Sequence, residues 1–152
     1  MSYLSSYLVS KEVSYIILLA REGIWFREET LDIALDLLYD MNERGYFLLF
    51  GFCLLPCEFH IILRPERGRG LKGITQGIKM RITKMIKLNK NISFPIWKNR
   101  FGVRQITSRD ELLSILSHIH GLPKMVGLTD DPKRYRYSSL YPGNITDLDA
   151  LW

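Results

Sequence analysis

The sequence predicts an α+β fold, an antiparallel sheet with helices packed on one face in the ferredoxin-like arrangement. Three observations predict it. Segments rich in strand formers alternate with segments of helical period in the order β-α-β-β-α-β-α. Two strand segments, Tyr46–Leu55 and Glu58–Arg64, are separated only by a tight turn at Pro56, which makes them an antiparallel hairpin. The 152 residues show no internal repeat and no low-complexity linker, so residues 1–152 read as one domain long enough to bury a core.

Each element has its own signature. Met1–Val13 is polar and unpatterned, and Ser14–Ala20 (SYIILLA) is the first strand. Arg21-Glu22-Gly23 turns the chain, and Trp25 and Phe26 pack behind it. Glu28-Glu29-Thr30 opens a helix, with acidic residues at the end where the helix dipole favours them. Leu31, Ala34, Leu35, Leu38 and Met41 or Tyr39 carry its apolar face, and Gly45 stops it. After the hairpin, Pro65–Gly70 is a basic, glycine-containing loop. Leu71–Asn89 is a second helix with Leu71, Ile74, Ile78, Ile82 and Met85 on its core side. Asn91–Pro95 is a loop and Arg100–Thr107 a fourth strand. Ser108 with Glu111 forms a capping box, opening a third helix from Arg109 to His120 that Gly121-Leu122-Pro123 ends. Asp131–Tyr141 is irregular and aromatic.

Composition narrows the function. Hydrophobic residues make up 47% of the chain, which excludes a disordered polymer. The longest apolar runs, Tyr15–Ala20 and Phe47–Leu55, are too short for a bilayer, so no membrane partner is expected. Met1-Ser2-Tyr3-Leu4 lacks a basic stretch ahead of a long apolar core, which reads as a cytoplasmic protein. Cys53 and Cys57 flank the turn and are expected as buried thiols, since a reducing compartment disfavours a disulfide and zinc would need more soft ligands. The net charge is +5, and its excess is concentrated. Between Arg64 and Lys90 nine cations face one anion, Glu66, while the acids gather at Glu28–Glu43 and near the C-terminus. Such a block suits a polyanion, most simply nucleic acid, although a solvated helix face would look similar. The expected phosphate contacts are Arg64, Arg67, Arg69, Lys72, Lys79, Lys84 and Lys87, joined by Lys98, Arg100 and Arg104.

Strand alternation puts Glu58 and His60 on one face of the hairpin and Phe59, Ile61 and Leu63 on the other. A carboxylate and an imidazole on an apolar strand are either a hydrogen-bonded core histidine, a partly exposed edge, or a metal or phosphate site.

Five segments, in order, resemble the HUH single-tyrosine transposases, in the REP-associated, insertion-sequence-like branch. They are Leu55-Pro56-Cys57-Glu58-Phe59-His60-Ile61-Ile62-Leu63-Arg64-Pro65, the basic helix Ile74–Lys84, Ile96-Trp97-Lys98-Asn99-Arg100-Phe101, His118-Ile119-His120-Gly121-Leu122-Pro123-Lys124-Met125-Val126-Gly127-Leu128, and Tyr137-Ser138-Ser139-Leu140-Tyr141. The resemblance covers most of the chain. It implies a strand with two histidines that hold a divalent metal, a helical tyrosine that attacks DNA, and a polar metal ligand one turn later. Here Glu58 stands at the first histidine, His60 at the second, His118 at the nucleophile and Leu122 at the helical ligand. Pro56, Trp97, Pro123, Gly127 and the Ser138-Ser139 pair, which bear on the fold, remain.

The resemblance therefore implies a transposase-like protein, decayed or domesticated, that lacks tyrosine-mediated cleavage. It would bind single-stranded or hairpin DNA through the basic loop and helix, with Trp97, Phe101 or Tyr137 as stacking surfaces. Two alternatives stand beside it. One is a metal-dependent nuclease or transposase in which Glu58, His60 and His118 hold Mg²⁺ or Mn²⁺, with His118 as ligand or general base and water attacking, or with Tyr135, Tyr137 or Tyr141 as a displaced nucleophile. His120 lies about 200° round the helix from His118 and cannot join that site. The other is a protein-interaction module with no cofactor. The family holds both monomers and homodimers, and a partner could supply missing residues.

Overall fold

A computed structural model describes residues 13–90 and 95–148, apart from the side chains of residues 88–90 and 100. The polar segment before Val13 and most of the loop before Pro95 lie outside these residues. The elements follow the expected order: β1 (Val13–Ala20), α1 (Glu28–Glu43), β2 (Phe47–Leu54), β3 (Glu58–Pro65), α2 (Leu71–Lys90), β4 (Trp97–Ile106) and α3 (Arg109–Met125), then a 3-10 turn at Pro132–Arg134. The four strands form one antiparallel sheet in the order β2-β3-β1-β4. With a helix after β1 and another after β3, this is the ferredoxin-like topology.

The register of β1 on β3 runs from Ser14 opposite Leu63 to Leu19 opposite Glu58. The two-residue period of both strands then separates two faces. Ile16, Leu18, Phe59, Ile61 and Leu63 turn toward one apolar cluster, which α1 closes with Leu31, Ala34, Leu35, Leu38 and Met41. In α2 the stripe is Ile74, Ile78, Ile82 and Ile86. Met85, expected in that stripe, is 38% exposed, because the face follows a strict four-residue spacing that selects position 86.

The expected packing of helices on one face holds for α1 and α2, whereas α3 lies across the opposite face. There Leu112, Ile115, Leu116, Ile119 and Leu122 cover Phe50, Cys53, Leu55 and Ile62 in a second cluster. The cause is local. Seven of the eight β2 residues are buried, so both faces of that strand need an apolar cover. Gly51 supplies the close approach, since a Cβ there would meet Cδ1 of Leu116.

The third helix also runs past its expected end. Pro123 lies within it, and Gly127, at φ 81°, terminates it. The amides of Gly127 and Leu128 donate to the carbonyls of Lys124 and Pro123, a Schellman closure. Burial of Leu122 in the second cluster, with Pro123 buried beside it in sequence, holds this last turn. Beyond it the aromatic tail returns to the free edge of β2. Leu54 N–H donates to the Tyr137 carbonyl and Ser139 N–H to that of Phe52, around a bridge between Cys53 and Ser138. Cys53 is buried, and burial, then the charge of Glu58, pushes its thiol up to about 12. Cys57 is exposed rather than buried, because it occupies the turn itself, and both thiols are free. No described helix is long and apolar enough to cross a membrane.

Candidate functional site

The centre of the site is His60, 4% exposed on the sheet face that α3 partly covers. Its neighbours come from two strands. Ile17 lies opposite His60 and Tyr15 opposite Ile62, so Tyr15 is the diagonal neighbour of His60. The Tyr15 hydroxyl is 2.6 Å from His60 Nδ1, and His60 Nε2 is 2.9 Å from Glu58 Oε1. A carboxylate only accepts, so an ionised Glu58 fixes the proton on Nε2 and leaves Nδ1 to accept from Tyr15. The result is a closed chain, Tyr15 to His60 to Glu58, that satisfies both imidazole nitrogens. Burial lowers the His60 pKa; the hydrogen bond and charge of Glu58 oppose this, and His118 adds to it. Burial, then the charges of Glu58 and Cys53, raises the Tyr15 phenol to about 12.

His118 is exposed on α3, and its charge acts on His60 across the gap between helix and sheet. Leu122 is buried in the second cluster and offers no ligand. These residues do not fit the divalent metal implied by the two-histidine strand. The donors of Glu58 and His60 are turned on each other, and a metal at His60 would have to break one of its two hydrogen bonds. Among the described residues no three His, Cys, Asp or Glu side chains are grouped to hold an ion. His120 Nε2 lies 2.7 Å from Ser139 Oγ and helps dock the tail.

The expected cations divide between surfaces. Arg104 pairs with Tyr15 across β1 and β4, which puts it on the His60 face. Lys98 alternates with buried Trp97 and so faces the same way. Arg100 lies between them in the strand. Arg104, largely exposed itself, sits 3.8 Å from the half-buried Glu111 in a loose pair. Arg67, Arg69, Lys72 and Lys84 are exposed, and Lys87 is half-exposed, on the loop and on the outer side of α2, in the layer beyond the opposite sheet face. Arg69 also packs 3.9 Å over the Tyr46 ring. Lys79 donates to the Lys98 carbonyl at 2.9 Å, and burial lowers its pKa, so it ties α2 to β4. Arg64 departs from expectation. It is 6% exposed and paired to Glu66 at 3.1 Å, because it belongs to the interior strand β3. Its Nε has no hydrogen-bond partner.

Two of the three expected stacking surfaces are core residues. Trp97 packs on Phe26 and Phe59 and donates to Thr83 Oγ1, while Tyr137 is buried and donates to Asp32 Oδ1. Phe101 is half-buried beneath Lys79. Of the candidate displaced nucleophiles, Tyr135 donates to the Leu54 carbonyl, and burial raises the phenols of Tyr135 and Tyr137. Tyr141 is 36% exposed at the end of the tail. The sequence reading missed Tyr15, whose role appears only once the β1–β3 register is known.

No protein-family model matches the sequence, and no curated protein does. Solved structures share its fold. A REP-associated tyrosine transposase bound to a REP hairpin superposes with a TM-score of 0.70 at 16% identity, over 90% of this chain and 86% of that one. A protein of Deinococcus radiodurans R1 assigned as a transposase gives 0.52 at 16% identity, over 72% of this chain and 90% of its own. The chain has the α+β architecture of these transposases.

Proposed function

We propose that this chain is a DNA-binding protein on a transposase fold, that it engages hairpin or single-stranded DNA, and that it lacks tyrosine-mediated strand cleavage. The observation that carries this reading is the closed Tyr15–His60–Glu58 chain. It consumes the donors that a metal would use, on a face where Lys98 and Arg104 keep positive charge. The hairpin bound to the solved neighbour makes a hairpin the natural first ligand. The exposed loop and helix cations Arg67, Arg69, Lys72 and Lys84 offer phosphates a second positive surface, in the layer beyond the opposite sheet face.

The test is hairpin binding across a salt series, with Mn²⁺ present and absent. Affinity should fall steeply with salt as counterions are released. Lys98→Ala or Arg104→Ala should weaken binding and reduce the logarithmic salt slope by about 0.7–0.9 per lost phosphate contact. Neither cleavage nor a covalent adduct should form. Mn²⁺-dependent cleavage abolished by Glu58→Ala would establish the rearranged metal enzyme instead. Salt-independent, weak binding would favour the protein-interaction module.

A further inference from the structure

A second surface lies at the Pro56 end of the hairpin, two residues from Glu58. Three segments distant in sequence enclose a cleft of about 570 Å³: the link between β1 and α1, the turn at Pro56, and the stretch that follows α3. Trp25 forms one wall and is 64% exposed. Leu128, 37% exposed, extends the apolar wall. Arg27, Arg134 and Arg136 line the rest.

Alternation divides this surface from the core. On the first segment Phe26 points into the core while Trp25 and Arg27 point out. On the last, Tyr135 and Tyr137 are anchored inward while Arg134 and Arg136 point out. Backbone bonds fix the frame: Phe26 N–H donates to the Pro56 carbonyl at 2.7 Å. Nothing in this frame needs an exposed indole, since Phe26 already closes the core against Phe59 and Trp97. Acids are present too. Glu28 lines the cleft and Asp32 sits 3.5 Å from Arg136. That pair is solvent-exposed on both sides, so a phosphate can replace the carboxylate at small loss. Arg27 and Arg134 make no ion pair among the described residues.

We infer that this cleft holds an unpaired nucleotide of the bound DNA, with its base stacked on Trp25 and its flanking phosphates against Arg27, Arg134 and Arg136. An aromatic face beside guanidinium groups, those of Arg27 and Arg134 outside any ion pair among the described residues, is the chemistry that single strands require. The inference rests on the DNA-binding reading above and gives that reading a second contact, where a strand leaving the sheet face passes Glu58.

The test uses the full chain and two DNA ligands, a blunt hairpin and the same hairpin with a short unpaired tail. Trp25→Ala should weaken the tailed ligand about tenfold and leave the blunt one nearly unchanged. Trp25→Phe should recover most of the loss, because a ring remains. Arg134→Gln, on a different segment, should also weaken only the tailed ligand and should lower its salt slope. Equal affinity of wild type, Trp25→Ala and Arg134→Gln for the tailed hairpin would overturn the inference. If Lys98→Ala still weakens both ligands in that case, the DNA-binding reading survives without it. If the wild type binds neither ligand, both readings fall.

Discussion

At the scale of residues, buried His60 and half-buried His120 share one consequence. Burial lowers the pKa of His60 and, with it the only cause, of His120. A base whose folded pKa lies below its ordinary value near 6.5 takes up its proton first in the unfolded chain. The stability it contributes is therefore present above about pH 6.5 and is lost as pH falls from there toward the depressed values. The melting temperature should be level between about pH 7 and 8 and should drop as pH falls below about 6.5. His120→Gln, which retains a polar partner for Ser139, should make that drop shallower; an unchanged slope would show that His120 does not contribute. His60 belongs to a pattern the sequence half revealed. Alternation alone put Glu58 and His60 on one face, whereas the third member, Tyr15, lies 45 residues away and needed the strand register. Arg64 shows the opposite limit. Its charge is plain in sequence, but its burial follows from β3 being an interior strand.

At the scale of elements, the packing of α3 on β2 depends on one missing methyl group. Gly51→Ala would drive a Cβ into Leu116, and overpacking of this kind is expected to destabilise the fold by about 1–3 kcal/mol. Leu116→Ala alone opens a cavity, so it too should destabilise. The two together should lose less than the sum of the single losses, and urea unfolding of the four proteins measures that coupling. Strict additivity would mean that the helix simply moves away from the strand. The periodicity of α1 and α2 was legible because their burial is one-sided. The end of α3 was not, because proline is read as a stop on local grounds. The apolar surface that keeps Leu122 and Pro123 helical belongs to a strand about 70 residues earlier.

At the scale of the whole molecule, the order of elements predicted the topology, and the distribution of function over surfaces did not follow from it. A linear run of cations from Arg64 to Lys87 looks continuous in sequence. Folding sends it to an interior strand, a loop and the outer side of α2, while Lys98 and Arg104 join His60 on the other face. The cleft at Trp25 has no local pattern at all, because its three walls meet only in the folded chain. The tail is equally invisible in isolation. Removing residues 131–152 should leave far-UV helix and strand signals largely in place but expose the β2 edge. The expected outcome is concentration-dependent association on size-exclusion chromatography, at a salt concentration where the full chain elutes without it.

That edge has a consequence for how the protein is made. Residues 137–139, which close β2, leave the ribosome after every strand of the sheet has emerged. Until they arrive, the nascent chain carries a bare, apolar strand whose amides and carbonyls invite any passing neighbour. A stretch synthesised after the whole sheet thus acts as a built-in chaperone for one of its earlier strands, and the hazardous interval ends only when residues 137–139 have emerged.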